Sequence, residues 1–177
     1  VLMKDSELVS KCITKIKEEV GSKKVTVKCR LGVDNQDPEA TLPEFLKYII
    51  DAGVDGIIIH ARKAVLRGLS PKQNRNVPPL NYMLVSKMKQ RFPQSEIVIN
   101  GGIENLKVAK DFLDIGLDGV MIGRAAYQNP HEVLLPADKT IFNKELGKKS
   151  MKIVLGDLCN YIEEEMSQGV RLNEMTR

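Results

Sequence analysis

Two stretches decide the fold: Ile97-Val98-Ile99-Asn100-Gly101-Gly102 and, further on, Gly119-Val120-Met121-Ile122-Gly123-Arg124. Each is a short apolar run with β-branched residues that stops at glycine. Between them lies a helical pattern, Leu106, Ala109, Phe112 and Leu113, closed by Gly116. The unit reads as strand, helix, strand. Glycines at the carboxyl ends of two successive parallel strands let a phosphate approach bare backbone N–H groups, and Arg124 adds a charged fork. The competing reading is that the glycines only make tight strand exits; a pair on adjacent strands joined by an arginine favours the phosphate.

Working outward, Asp51-Ala-Gly-Val-Asp-Gly-Ile-Ile-Ile-His60 and Asp114-Ile-Gly-Leu-Asp-Gly-Val-Met-Ile-Gly123 share Asp, Gly, Asp, Gly and Ile at matching places, so one helix-to-strand join occurs twice. Upstream, Val25, Val27, Cys29 and Leu31 alternate with Thr26, Lys28 and Arg30, which predicts a strand with one basic face. A helical stripe of Leu8, Val9, Cys12, Ile13, Ile16 and Val20 predicts a helix over 6–20, capped by Asp5 or Ser6 and ended by Gly21. Thr41 and Glu44 form a capping-box pair ahead of Leu42, Phe45, Leu46, Ile49 and Ile50, with Gly53 closing that helix.

Strands beginning near residues 25, 56, 96 and 119, separated by helices, have the rhythm of a (β/α)8 barrel. The expected fold class is therefore α/β, the last four strands of a TIM barrel followed by the start of a helical domain. A doubly wound sheet is the alternative, but no G-x-G-x-x-G follows any strand. After Tyr127 the pattern breaks at Pro130 and Pro136 and runs through Lys139, Lys144, Lys148 and Lys149. A new amphipathic stripe then follows: Val154, Leu155, Leu158, Ile162 and Met166. The expected division is barrel over 1–135, linker over 136–150 and the first helix of a second domain over 151–177.

At 177 residues, 42% hydrophobic and 28% charged, the composition is that of a soluble globular protein. No apolar run approaches the ~20 residues of a membrane span, and Val1 does not open a signal peptide. Together with a helix pattern that starts almost at once, this predicts a segment cut from a longer chain. Cys12, Cys29 and Cys159 form neither a disulfide framework nor a zinc motif, and with His60 and His131 the only histidines no metal site is expected. The net charge of +4 conceals an uneven distribution: from Gly56 to Ser95 there is no acid but eight basic residues, leaving −4 elsewhere. Solvated faces usually alternate signs, so this stretch reads as a surface for polyanions.

Lys28, if the valines of its strand face helices, points into the barrel mouth as a buried cation that needs an anion or an electron-rich ring. His60 ends its strand at the same level as Asn100. The connection 61–81 exceeds the usual loop length of about 12 to 15 residues and carries Arg62, Lys63, Arg67, Lys72 and Arg75, which points to a large polyanion across the opening. Cys29 reads as a small core residue, and Cys12 and Cys159, on helical apolar stripes, do not read as nucleophiles.

Five segments are specific enough to carry a family resemblance: Lys28-Cys-Arg-Leu-Gly-Val-Asp34, Ile59-His-Ala-Arg-Lys-Ala64, Gly68-Leu-Ser-Pro-Lys-Gln-Asn-Arg75 with Val77-Pro-Pro-Leu80, Ile99-Asn-Gly-Gly-Ile103 and Asp118-Gly-Val-Met-Ile-Gly-Arg-Ala-Ala-Tyr-Gln-Asn-Pro130. Together they resemble the tRNA-dihydrouridine synthases of the A subfamily over nearly the whole chain. The resemblance implies a flavin mononucleotide (FMN) barrel that reduces a uridine of tRNA to dihydrouridine, with NADPH recharging the flavin, in a monomeric, cytoplasmic enzyme without metal. It implies that Asn100, Gly101, Gly102, Gly123 and Arg124 hold the cofactor phosphate, that Lys28 and His60 contact the flavin, and that Lys72 and Arg75 touch tRNA. The family's proton-donating cysteine sits in a Gly-Cys-Pro motif that would lie upstream of Val1, and none of the three cysteines here matches it. An inactive C-terminal half-barrel segment is thus expected. The alternatives are another barrel using the same phosphate clamp, such as a dihydroorotate-type flavin dehydrogenase or a phosphosugar isomerase, or a non-catalytic RNA-binding protein derived from a synthase.

Overall fold

The β-branched runs extend and the amphipathic stretches between them coil, as the alternation of periods requires. The computed structural model describes residues 2–144 and 150–176. The chain divides into two units, Val1–Gln128 and Asn129–Arg177. In the first, a short 3₁₀ turn precedes α1 (Ser6–Val20), then β1 (Thr26–Arg30), α2 (Pro38–Asp51), β2 (Gly56–His60), α3 (Tyr82–Arg91), β3 (Ile97–Asn100), α4 (Leu106–Asp114), β4 (Gly119–Met121) and α5 (Arg124–Gln128). The four strands form one parallel sheet in the order β1-β2-β3-β4. Each strand is joined to the next through a helix, the connection that parallel pairing demands.

One face of the sheet is the core. Cys29, Ile57, Ile59, Ile97 and Ile99 are buried there, together with Leu42, Phe45, Leu46 and Ile49 of α2, Leu84 and Val85 of α3, and Leu106, Ala109 and Phe112 of α4. The opposite face carries Lys28 and Arg30, then Ile58 and His60, then Val98 and Asn100, and remains open or half-buried. Burial on one face and charge on the other is the alternation read from β1, now continued across the sheet.

The repeated helix-to-strand join has a physical reason. The Asp55 carboxylate accepts from the Val25 backbone N–H at 2.7 Å and from Lys17 Nζ at 2.9 Å. In the second copy, Asp118 accepts from the Ile97 N–H at 2.8 Å and pairs with Lys89 Nζ at 2.7 Å. Each aspartate satisfies the first donor of the preceding strand, while Gly53 and Gly116, at φ of 79° and 96°, turn the chain out of its helix.

Two local expectations are corrected. The second helix begins before Thr41: Asp37 is its cap, accepting from the Glu39 N–H at 3.1 Å, and Pro38 opens the first turn. Proline fixes the helical φ and its missing N–H is one the first turn leaves unpaired anyway, so Asp37-Pro38 starts the helix ahead of the capping-box pair. On α1 only Ile13 of the predicted stripe is buried, with Cys12 exposed, because α1 packs on α2 rather than on the sheet.

The second unit holds α6 (Pro130–Val133), α7 (Ala137–Phe142), α8 (Met151–Ser167) and α9 (Leu172–Met175). A helix thus occupies part of 136–150, while Lys148 and Lys149 lie outside the described residues. Ser150 caps α8, whose Ile153, Leu155, Leu158, Tyr161 and Met166 are exposed. Among the described residues no helix is long and apolar enough to cross a membrane, and no cluster of metal-ligating side chains occurs.

Candidate functional site

Parallel pairing brings the last residues of the strands into one row. Arg30 is the register partner of His60, His60 of Asn100, and Asn100 of Met121. Lys28, two residues back on the face of Arg30, reaches along the sheet and donates from Nζ to Asn100 Oδ1 at 3.0 Å, while Asn100 Nδ2 donates to the Met121 carbonyl at 2.8 Å. Asn100 is therefore fixed at both ends of its amide, its orientation set by a cation on one side and a carbonyl on the other. Lys28 is exposed rather than buried as expected, because its face of the sheet is uncovered; two of its three ammonium protons remain for another acceptor.

The glycines of the Asn-Gly-Gly turn answer to different neighbours. A Cβ on Gly101, at φ 110°, would stand 3.1 Å from His60 Cε1 and Nε2, so the imidazole rests against bare backbone. On Gly102, at φ 66°, it would stand 2.6 Å from Leu80 Cδ1 and 3.0 Å from the Tyr82 hydroxyl. That hydroxyl donates to the Gly101 carbonyl at 2.8 Å, and the Tyr82 ring meets Phe112 edge-on, with centroids 4.8 Å apart. Gly123 differs: nothing lies within 4 Å of a Cβ built there, and its φ is not positive. No described neighbour requires glycine at 123, and the next residue is the exposed Arg124 that begins α5.

Every charged group acting on His60 is a cation. Burial, then Arg30, Lys28, Arg62 and Arg124, push its pKa down to about 4. At neutral pH it is an uncharged imidazole, and its Nδ1 is buried without a hydrogen-bond partner among the described residues. Although much of the Lys28 side chain is exposed, partial desolvation against the sheet and then the Arg30 guanidinium hold its ammonium below its ordinary value. Cys29 behaves as the core residue it was read to be: burial raises its thiol to about 12. Cys12 and Cys159 are both exposed, a correction to their placement on packed stripes.

The connection 61–81 is tied at its neck by the Asn81 N–H on the Ala61 carbonyl, 2.8 Å, and its cations fall into two groups. Arg62 turns inward to the carbonyls of Asn76 and Pro78, and Lys63 reaches the Gln36 carbonyl at 2.6 Å. Beyond the connection, Lys87 and Lys89 pair with Glu39 and Asp118. The side chains of Arg67, Lys72 and Arg75 are exposed and make no hydrogen bond or ion pair among the described residues, although Arg67 is near enough to Asp34 to add to the Lys4 and Leu66 hydrogen bonds that lower its pKa. The acid-free segment is thus only in part a surface for polyanions. Lys72 precedes and Arg75 closes a 3₁₀ turn, Gln73–Arg75, and Arg75 is near enough to Arg30, the register partner of His60, to add to burial and Arg62 in lowering the Arg30 pKa. Sequence reading passed over Asn74 and Tyr82; the signal for Tyr82 was its place just after Asn81, which caps α3 by accepting from the Leu84 N–H.

Comparison with known proteins gives one family. The model of the dihydrouridine synthase family matches residues 1–177. The chain is 44% identical over 177 residues to a tRNA-dihydrouridine(20/20a) synthase of Vibrio cholerae, covering 99% of this chain and 53% of that protein. It is 45% identical to the protein of the same name from Salmonella typhi, 99% and 52% covered, and 44% identical to that of Escherichia coli K12, 99% and 50% covered. The chain spans about half the length of the curated relatives it matches.

Proposed function

The chain belongs to the dihydrouridine synthase family, and from that premise we propose that it forms the second half of an FMN-binding (β/α)8 barrel whose complete protein reduces a uridine in tRNA to 5,6-dihydrouridine. The missing half of the barrel corresponds to the part of the relatives that lies outside the match. FMN, if held at the strand-end residues, would supply a hydride, drawn from NADPH, to the uracil double bond.

The observation that carries this reading is the open cradle at Gly123. Gly123 opens α5, its carbonyl accepting from the Tyr127 N–H at 3.3 Å, but no packing neighbour or positive φ requires a glycine there, and it stands beside Arg124 and a cationic cluster. A phosphate monoester suits both features: it needs backbone N–H groups without a Cβ in the way, and a guanidinium for its charge. Asn100 to Gly102 would form the other wall, and Lys28, bonded to Asn100, would contact the flavin. His60, neutral and backed by Gly101, offers Nδ1 as a hydrogen-bonding atom still without a partner among the described residues. Lys72 and Arg75 are assigned to tRNA phosphates, for which an exposed, uncompensated charge is the requirement. The proton that completes the reduction is assigned to a cysteine outside this chain, since Cys29 is a buried thiol raised to about 12 and the other two sit on outer helices.

The test is flavin retention in the full-length enzyme with Gly123→Val. The Cβ of that side chain has no described neighbour within 4 Å, so folding should persist and bound FMN should fall. Unchanged flavin content overturns the assignment.

A further inference from the structure

We infer that Asn74 is a positioning residue, and that with Arg30 it forms a clamp holding the Ser70–Arg75 turn rigid over the strand ends. The inference rests on the reading of Lys72 and Arg75 as the RNA contact. It goes beyond that reading by assigning the geometry of the contact to a neutral side chain and to a strand residue.

Four hydrogen bonds converge on the Asn74 amide. Oδ1 accepts from the Val65 N–H at 2.7 Å, and Nδ2 donates to the carbonyls of Val65 at 2.7 Å, Leu69 at 3.2 Å and Ser70 at 3.3 Å. The pair with Val65 copies a backbone ladder, so the side chain joins the two limbs of the loop where no strand forms. The Asn74 carbonyl accepts from Arg30 Nη1 at 2.9 Å, and the same nitrogen donates to the Lys63 carbonyl at 2.8 Å. Arg30 ends β1 in register with His60, and Lys28 of that strand holds Asn100. The RNA-facing turn and the strand-end row are therefore anchored to one strand by a side chain that bonds backbone and not substrate. Asp34 secures the near limb: its Oδ1 accepts from the Leu66 N–H at 2.8 Å, and its Oδ2 from Lys4 at 2.8 Å.

A loop held this way meets RNA already ordered, and a freed one must be ordered on binding. Two exposed cations on a floppy loop keep their charge but lose their placement. Asn74→Ala removes all four amide bonds and changes no charge.

The experiment compares four full-length enzymes, wild type, Asn74→Ala, Arg30→Lys and the double variant Lys72→Ala/Arg75→Ala, by tRNA affinity over a range of salt with flavin content as control. Asn74→Ala should bind about tenfold more weakly with an unaltered salt slope, since both cations remain. Arg30→Lys, which can still donate to a carbonyl, should retain most of the affinity. The double variant should flatten the salt slope. A normal affinity in Asn74→Ala beside a flattened slope in the double variant overturns the clamp and leaves the RNA reading standing; no change in the double variant sinks the RNA reading itself. If Asn74→Ala fails to fold, hydrogen exchange in the wild type decides. The Val65 N–H should be protected, and its exchange at the rate of an open chain overturns the clamp.

Discussion

The two ends of this sheet are built from opposite electrostatic rules. At the amino end the aspartates of the repeated join are paired: Asp55 meets Lys17, Asp118 meets Lys89, and both carboxylates also close the first backbone donor of a neighbouring strand. At the carboxyl end Lys28, Arg30, Arg62 and Arg124 surround a histidine that they help keep neutral. Paired charges at one end serve stability, and accumulated cations at the other suit the anion proposed for it, the division of labour that barrels of parallel strands display. The lesson is that the repeated Asp-Gly join, the most visible pattern in the sequence, marks the structural end and not the chemical one.

The largest effect that would break this comparison is on folding. Asp118→Ala removes the acceptor of the Ile97 N–H at the start of an inner strand and the partner of Lys89, and should lower the unfolding free energy by about 2 to 3 kcal/mol in urea titration. Arg124→Ala, at the other end, removes an exposed side chain and should leave that free energy nearly unchanged. Equal losses in the two variants would mean that the ends do not differ in role.

Next in size is the loss of cofactor. In the full-length enzyme Arg124→Ala should weaken FMN by about 1.5 to 3 kcal/mol, the range for a charge-assisted hydrogen bond, read as flavin lost on gel filtration. Asp118→Ala, assayed where it is still folded, should retain flavin. A smaller effect follows for Lys72→Ala/Arg75→Ala: the salt dependence of tRNA binding should become shallower by about one to two phosphate contacts, with folding and flavin unaltered.

Much of the fold was legible because parallel strands buried on one face leave a plain record. Ile57-Ile-Ile and Ile97-Val-Ile can hardly be exposed; Gly53 ends the helix before the first run, and Pro93 follows the helix before the second. The strand-end row was legible too, since His60 and Asn100 close such runs and register aligns them. What escaped were bonds from side chains to carbonyls. Arg30, Arg62 and Lys63 look like surface charge in the sequence, yet each spends its donors on the backbone of a distant loop, and no periodicity encodes that choice. The packing reasons for the glycines were not legible either. Gly101 and Gly102 are required by His60, Leu80 and Tyr82, whereas Gly123 alone lacks a protein neighbour that requires it among those at the strand ends.

The smallest effect, and the one that sharpens the comparison most, is in the pH dependence of stability. His60 has its folded pKa pushed down to about 4 from an ordinary value of 6.5, so between these limits the unfolded chain binds a proton that the folded chain refuses. Its contribution is complete above pH 6.5 and is lost as the pH falls toward 4. Asp55 behaves differently. The Val25 N–H and then Lys17 hold its carboxyl below the ordinary value of 3.8, so its contribution persists through that window and is lost only as the pH falls through the lowered value. Acid therefore acts on the carboxyl end first and on the amino end afterwards. Unfolding midpoints measured from pH 7 to 4 should decline with a slope of at most about one proton, and His60→Asn should flatten that decline without touching the steeper loss below it. Inorganic phosphate supplies the second arm. An anion among Lys28, Arg62 and Arg124 screens His60 from the cations that depress it, raising its folded pKa toward 6.5 and flattening the same limb in the wild type. If phosphate leaves that limb unchanged while His60→Asn removes it, the histidine is acid-sensitive through burial alone, and the excess charge at the carboxyl end is not an anion site.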